Sequence, residues 1–198
     1  MFEAAWVTKI GRMKKKGKLL NMHLFLYIHP VNIIIKIIDA INETVGRAVS
    51  WLTLALVLAV CIEVFRRSVL GETSVAMVEL HWHLFALIFL LGSGYALKHD
   101  RHVRVDLFYT NFSKQDKAWV NFFGSILLLI PWLLIMIYWS YFYALDSWMF
   151  REGSPDPGGL PARYLIKFAI PIGLSLLLLQ AVSLMLQSWK DLKPTQND

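Results

Sequence analysis

Cysteine is nearly absent. The only one in 198 residues, Cys61, sits deep in an apolar run, so the chain closes no disulfide of its own and cysteine use names no compartment. Charge is thin as well: 17% of residues are charged against 57% hydrophobic, which excludes an ordinary soluble domain. The sequence also lacks a phosphate-binding glycine loop, a nucleophile elbow and a paired-carboxylate motif, so an enzyme reading has no residues to stand on. Neither an internal repeat nor a matched pair of interrupted apolar segments, such as secondary transporters place around a central site, stands out.

What the sequence has is long apolar runs. About 20 consecutive apolar residues cross the hydrocarbon core as a helix, and four stretches qualify, at about residues 45–64, 76–97, 118–143 and 165–187. Pro131 and Pro171 lie inside the third and fourth. Each removes one backbone donor, which membrane helices tolerate where neighbours satisfy the freed carbonyl. The expected fold class is therefore an all-α integral membrane protein with four transmembrane helices, its membrane domain covering residues 45–189.

Lysine and arginine concentrate on the cytoplasmic side of such proteins. Eight precede the first run or stand at its start (Arg47), five lie between the second and third and two follow the fourth, fifteen of the 20; Arg66, Arg67, Arg151, Arg163 and Lys167 remain for the other face. Both termini, including the tail at residues 190–198, are thus expected in the cytoplasm. The net charge of +6 belongs to helix ends facing anionic lipid, each basic residue being attracted by roughly 1 kcal/mol. It argues for membrane lipids as partners and against nucleic acid.

Residues 1–29 form a basic extension. Its MKKKGK, Met13 to Lys18, resembles the start of a signal peptide, but the following apolar stretch is short, is interrupted by Asn21 and His23 and lacks a cleavage pattern, so the segment is expected to be retained. From residue 30 to 44, Asn32, Lys36, Asp39 and Glu43 recur at intervals of four, three and four, one polar stripe on a helix otherwise made of Ile and Val. This predicts an amphipathic helix lying in the membrane interface or packing on a partner, with Pro30 suited to its first turn.

Ionisable residues within spans are functional suspects because their burial is costly. Glu63, Glu79, His81, His83 and Lys167 all fall near outer span ends, where a side chain reaches the headgroups. Haem would require axial histidines on facing helices, whereas His81 and His83 share one; Glu79 and His83 stand at i, i+4 but supply too few ligands for a zinc site. No cofactor is expected on these grounds.

Two polar segments carry more. ALKHDRHVRVDLFY, Ala96 to Tyr109, alternates His102, Arg104 and Asp106 with Val103, Val105 and Leu107, and reads either as a helix end anchored at the headgroups or as a docking edge for a second membrane protein. EGSPDPGGLPARYLIK, Glu152 to Lys167, has Pro155, Pro157 and Pro161 to exclude regular helix and Gly158 and Gly159 to allow a tight reversal. Glu152, Asp156 and Arg163 are placed to pair across it, and Tyr164 and Lys167 to anchor the returning helix. Both an ordered turn and a docking platform remain open.

At these segments the chain resembles the DctQ-type small membrane subunit of tripartite ATP-independent periplasmic (TRAP) transporters, from about Val45 to Trp189. The likeness rests on HVRVD (His102 to Asp106), on E-x-S-x-x-P-G-G-L-P (Glu152, Ser154, Pro157, Gly158, Gly159, Leu160, Pro161) and on K-x-x-I-P-x-G with a later LLLLQ (Lys167, Ile170, Pro171, Gly173, Gln180). The resemblance implies a scaffold in the bacterial inner membrane for a large multi-span subunit that moves an organic acid inward on a sodium gradient, the sodium being bound by the large subunit. It also implies outer loops that help to dock a periplasmic solute-binding protein. The basic extension departs from the family pattern and leaves Met13 and Met22 as alternative first residues. The competing expectation is a small membrane anchor of a redox complex, carrying haem or facing quinone.

Overall fold

The computed structural model describes residues 2–99 and 112–192, with side chains from Pro30 onward. Helix α1 spans Phe2–Phe65, and a π-helical turn at Arg66–Leu70 leads to Gly71, whose φ of 69° is left-handed. Helix α2 covers Val75–Lys98 and α4 covers Tyr164–Leu192. Between them, α3 occupies Lys114–Met149 and contains a π-helical turn at Ser125–Leu129. No strand occurs among the described residues. Four helical stretches are long and apolar enough to cross a membrane, Pro30–Leu70, Val75–Lys98, Lys114–Met149 and Tyr164–Leu192. They correspond to the four apolar runs.

The boundaries have local causes. Ser113 caps α3 with a reciprocal capping box, its Oγ accepting the Asp116 N–H at 3.2 Å while an Asp116 carboxylate oxygen accepts the Ser113 N–H at 3.3 Å. The helix accordingly starts before the apolar run that begins near residue 118. Pro131 explains the π-helical turn: its ring excludes the carbonyl of the residue four positions earlier, and the Ile130 N–H reaches back five residues to the Ser125 carbonyl instead. In α4, the Ser175 hydroxyl donates to the Pro171 carbonyl at 2.6 Å.

Two compact units divide the chain, Met1–Ile37 and Ile38–Asp198. In the described part of the first, Ile35 is buried while Ile33, Ile34 and Ile37 are exposed. In the second, α1 runs unbroken through Ile38–Phe65, so residues 38–44 share one helix with the apolar run 45–64.

Helix α4 is the centre of the second unit. It packs along α2 and α3, and most of its buried residues are small or polar: Ala169, Gly173, Gln180, Ala181, Ser183 and Ser188. Small residues let membrane helices approach closely, since lipid supplies no hydrophobic drive between them. At Gly173 the backbones of α4 and α2 come together, and a Cβ there would lie 2.6 Å from the Leu90 carbonyl oxygen. Farther along, Leu97 of α2, Leu133 of α3 and Leu177 and Ala181 of α4 form the buried apolar core. Contacts from Leu90 to Gly173 and from Gly94 to Leu176 advance together, so α2 and α4 run parallel; Gly46 against Tyr95 and Glu63 against Ser74 set α1 antiparallel to α2.

This leaves two distinct ends. The loop end holds the α1–α2 turn and the α3–α4 loop, and the network end holds Lys98 and the last turns of α4. Around the middle, large apolar side chains face outward, among them Trp51, Trp82, Phe85, Phe89, Trp132 and Trp139. So many exposed large apolar side chains on helices of spanning length mark a lipid- or partner-facing surface.

Candidate functional site

The α3–α4 loop, residues 150–163, is built from its own backbone first. The Glu152 N–H donates to the Ser147 carbonyl at 3.0 Å, the Arg163 N–H to the Glu152 carbonyl at 2.8 Å and the Ser154 N–H to the Leu160 carbonyl at 3.2 Å. Those bonds draw the two strands of the loop together at a neck between Ser154 and Leu160. Beyond it, the Gly159 N–H donates to the Asp156 carbonyl at 3.0 Å and the Asp156 N–H to Ser154 Oγ at 3.1 Å, closing a tight tip. Gly158 turns that tip with φ of 79°, the positive value its sequence position suggests; Arg151 and Ala162 also adopt positive φ, 47° and 63°, which sequence reasoning did not anticipate.

Side chains then fix the loop to the helices. Glu152 pairs with Lys167 of α4 through Oε2, which also accepts the Ser147 hydroxyl at 2.6 Å. The bond from Lys167, followed by that from Ser147, holds the Glu152 carboxyl below the usual carboxylate range against the opposing effect of desolvation. Lys167 Nζ also lies 4.1 Å above the Tyr143 ring. On the other flank, Glu79 of α2 accepts the Ser154 hydroxyl through Oε1 and the Leu160 N–H through Oε2 at 2.6 Å. The Glu79 carboxylate is thereby committed to the loop. His83 directs its Nδ1 to the Glu79 backbone carbonyl at 2.6 Å.

The singled-out loop residues thus divide into an inner and an outer set. Glu152, Gly159, Leu160 and Lys167 are partly buried and hold the frame, whereas Asp156, Pro157, Gly158, Pro161 and Arg163 are exposed. Glu152 pairs with Lys167 rather than across the loop with Arg163, because its carboxylate turns back toward α4 and meets the ammonium one turn into that helix. His102, Arg104 and Asp106 lie outside the described residues.

A second polar assembly occupies the network end. Asp39 Oδ1 accepts Gln180 Nε2 at 2.9 Å and Ser183 Oγ at 2.8 Å, and Gln187 Nε2 approaches Oδ2 at 3.4 Å. Asn42 Nδ2 donates to Gln180 Oε1 at 3.0 Å, and Lys98 Nζ bridges the Asp39 carbonyl at 3.0 Å and the Glu43 carboxylate at 2.7 Å. Asn42, Gln180 and Ser183 are almost fully buried. Two members of the expected stripe, Asp39 and Glu43, therefore face the protein's own α4 and α2. The α4 partners carried a legible signal, since Gln180, Ser183 and Gln187 recur at i, i+3 and i+7 on one face of an apolar helix.

Fold and surface together define a multi-pass helical membrane protein with an ordered, charged loop at one end. The chain matches the family described as tripartite ATP-independent periplasmic transporters, DctQ component, over residues 56–191, and it belongs to that family. The matched region holds the α3–α4 loop, Glu79 and all of α4 but its last residue. Compared with curated proteins one by one, the chain matches none.

Proposed function

We propose that this protein is the small permease subunit of a TRAP-type secondary transporter in the bacterial inner membrane. It scaffolds the large membrane subunit, and its α3–α4 loop helps to dock the periplasmic solute-binding protein during sodium-driven uptake of an organic acid. Membership of the family over residues 56–191 carries this reading. The loop adds support, because its tip is pre-shaped by backbone bonds and presents Asp156 outward. In this reading sodium is bound by the large subunit and this chain needs no cofactor. The fifteen-to-five distribution of basic residues supports a periplasmic loop end and cytoplasmic termini. Residues 30–44 would rest at the cytoplasmic interface, and His102, Arg104 and Asp106 would face the large subunit from that side.

Reconstitution into liposomes tests the proposal. The chain alone should give no sodium-dependent uptake of organic acids, and adding the large subunit and the binding protein should establish it. Reporters fused after Ser113 and after Gly159 should report cytoplasm and periplasm respectively. Uptake by this chain without partners, or the opposite reporter pattern, would overturn it.

A further inference from the structure

Ser154 and Leu160 form the neck of the loop, and one carboxylate from another helix reaches both. Glu79 stands near the start of α2, more than 70 residues away in sequence. Its Oε1 takes the Ser154 hydroxyl and its Oε2 takes the Leu160 N–H at 2.6 Å, while the Ser154 N–H donates to the Leu160 carbonyl at 3.2 Å. The neck is therefore a closed ring of three bonds with Glu79 as its base. Only five residues, 155–159, lie between the two clamped positions, and the tip of this short arch is the exposed part.

Gly159 shows how tightly the base is fitted. Its φ is not positive, yet a Cβ there would lie 2.8 Å from Glu79 Oε2 and 2.5 Å from Ser154 Cβ, and closer still to Ser154 Oγ. The glycine is required by the proximity of the Ser154 side chain first and of the Glu79 carboxylate behind it, rather than by backbone conformation. Gly158, with φ of 79° and nothing within 4 Å, is the converse case.

We propose that Glu79 is a positioning residue: from α2 it clamps the neck of the α3–α4 loop and so sets the shape in which the Pro155–Gly158 tip meets its partner. The consequence for the partner rests on the docking role proposed above; the clamp itself does not. A pre-ordered surface loses less conformational freedom on association than one that must first be organised, so the clamp should act on the affinity of docking and not on the translocation step. Glu79 bonds to the neck and not to the exposed tip. It works through Ser154 and Leu160.

The test uses the assembled transporter carrying Glu79→Ala, Glu79→Gln or Ser154→Ala, each normalised to the amount of complex in the membrane. Amide hydrogen exchange over residues 154–160 should rise roughly tenfold or more in Glu79→Ala, the scale of losing charge-assisted bonds from part-buried donors. Glu79→Gln keeps one oxygen for the Leu160 N–H and should recover part of the protection, with Ser154→Ala between the extremes. In uptake assays against binding-protein concentration, the half-saturating concentration should rise several-fold while the maximal rate stays within about twofold. Unchanged loop exchange in Glu79→Ala would overturn the clamp. A fall in maximal rate together with the amount of inserted complex would overturn the positioning role in favour of simple helix packing. Faster exchange with superimposable uptake curves would uphold the clamp and remove the docking role of the loop.

Discussion

Carboxylates organise both ends of this molecule, but they grip different things. At the network end, Asp39 on one helix is held by side chains of another, Gln180, Ser183 and Gln187, so the bonds run from helix to helix. At the loop end, Glu79 takes a backbone N–H and a hydroxyl from the loop, and Glu152 ties the loop to Lys167. The first arrangement specifies how α1 sits against α4, because only one register satisfies all three donors. The second specifies the shape of a segment that has no regular structure of its own. Burial makes the distinction sharper, since a donor left unpaired between packed helices finds no water.

That difference predicts unequal consequences for mutation. The largest effect should come from Asp39→Ala, which leaves Gln180 and Ser183 without their acceptor in the interior of the bundle, while Gln187 keeps its 3.0 Å bond to Ser183 Oγ. Interhelical hydrogen bonds in membranes contribute about 0.6 kcal/mol each on average, and stranding both donors at once should cost about 2–4 kcal/mol. Thermal unfolding in detergent, followed by tryptophan fluorescence, should show an early loss of the whole bundle. An unfolding curve identical to that of the wild type would mean that the network fixes nothing, and the contrast between the ends would collapse.

An intermediate and strictly local effect is expected at the loop end. Gly159→Ala should displace Ser154 from Glu79 and cost about 1–2 kcal/mol, seen as faster proteolysis or exchange in the loop with the bundle melting unchanged. Gly158→Asn should be nearly silent, because asparagine tolerates the left-handed conformation and the site has open space around it. The two adjacent glycines thus separate crowding from backbone conformation. Equal behaviour of the two variants would show that the carboxylate does not confine Gly159.

How legible each end is in the sequence follows from the range of its interactions. Four apolar runs suffice for the four helices, because span length is a property of consecutive residues. The proline and glycine residues of the loop announce a rigid reversal for the same reason. Local signals also existed for two features that an apolar-run reading passes over: the S-x-x-D capping box at Ser113 and the i, i+3, i+7 polar face of Gln180, Ser183 and Gln187. Their partners are different. Nothing near Glu79 reveals that its carboxylate lies under Leu160, and nothing near Gly173 reveals the Leu90 carbonyl against it. Tertiary pairing across 80 residues is set by how parallel α2 and α4 align, which a single sequence does not display. Glu152 illustrates the limit from within the loop, where Lys167 wins over Arg163 because α4 brings the ammonium around to the carboxylate side.

The smallest effect should arise at the exposed tip, where charge is present but holds nothing in the fold. Asp156 uses its backbone for the tip, accepting from Gly159 and donating to Ser154 Oγ, while its side chain is exposed. Asp156→Lys should therefore leave both bundle unfolding and loop exchange as in the wild type. Charges at the rim of an interface act chiefly on encounter rate and register, so in the assembled transporter the reversal should raise the half-saturating concentration of binding protein by only a few-fold at low salt. Screening shortens to about 8 Å at 0.15 M ionic strength, and the difference from wild type should shrink as salt is added. Arg163→Glu, at the exposed start of the return to α4, provides the opposite sign: a partner surface complementary to Asp156 alone would be insensitive to it, whereas one that reads both charges would respond to each reversal. The measurement is uptake against binding-protein concentration at two ionic strengths, normalised to inserted complex. Identical curves for both reversals at low salt would make the tip an ordered turn, and the contrast between the ends would then be one between two structural devices, with docking assigned to the large subunit.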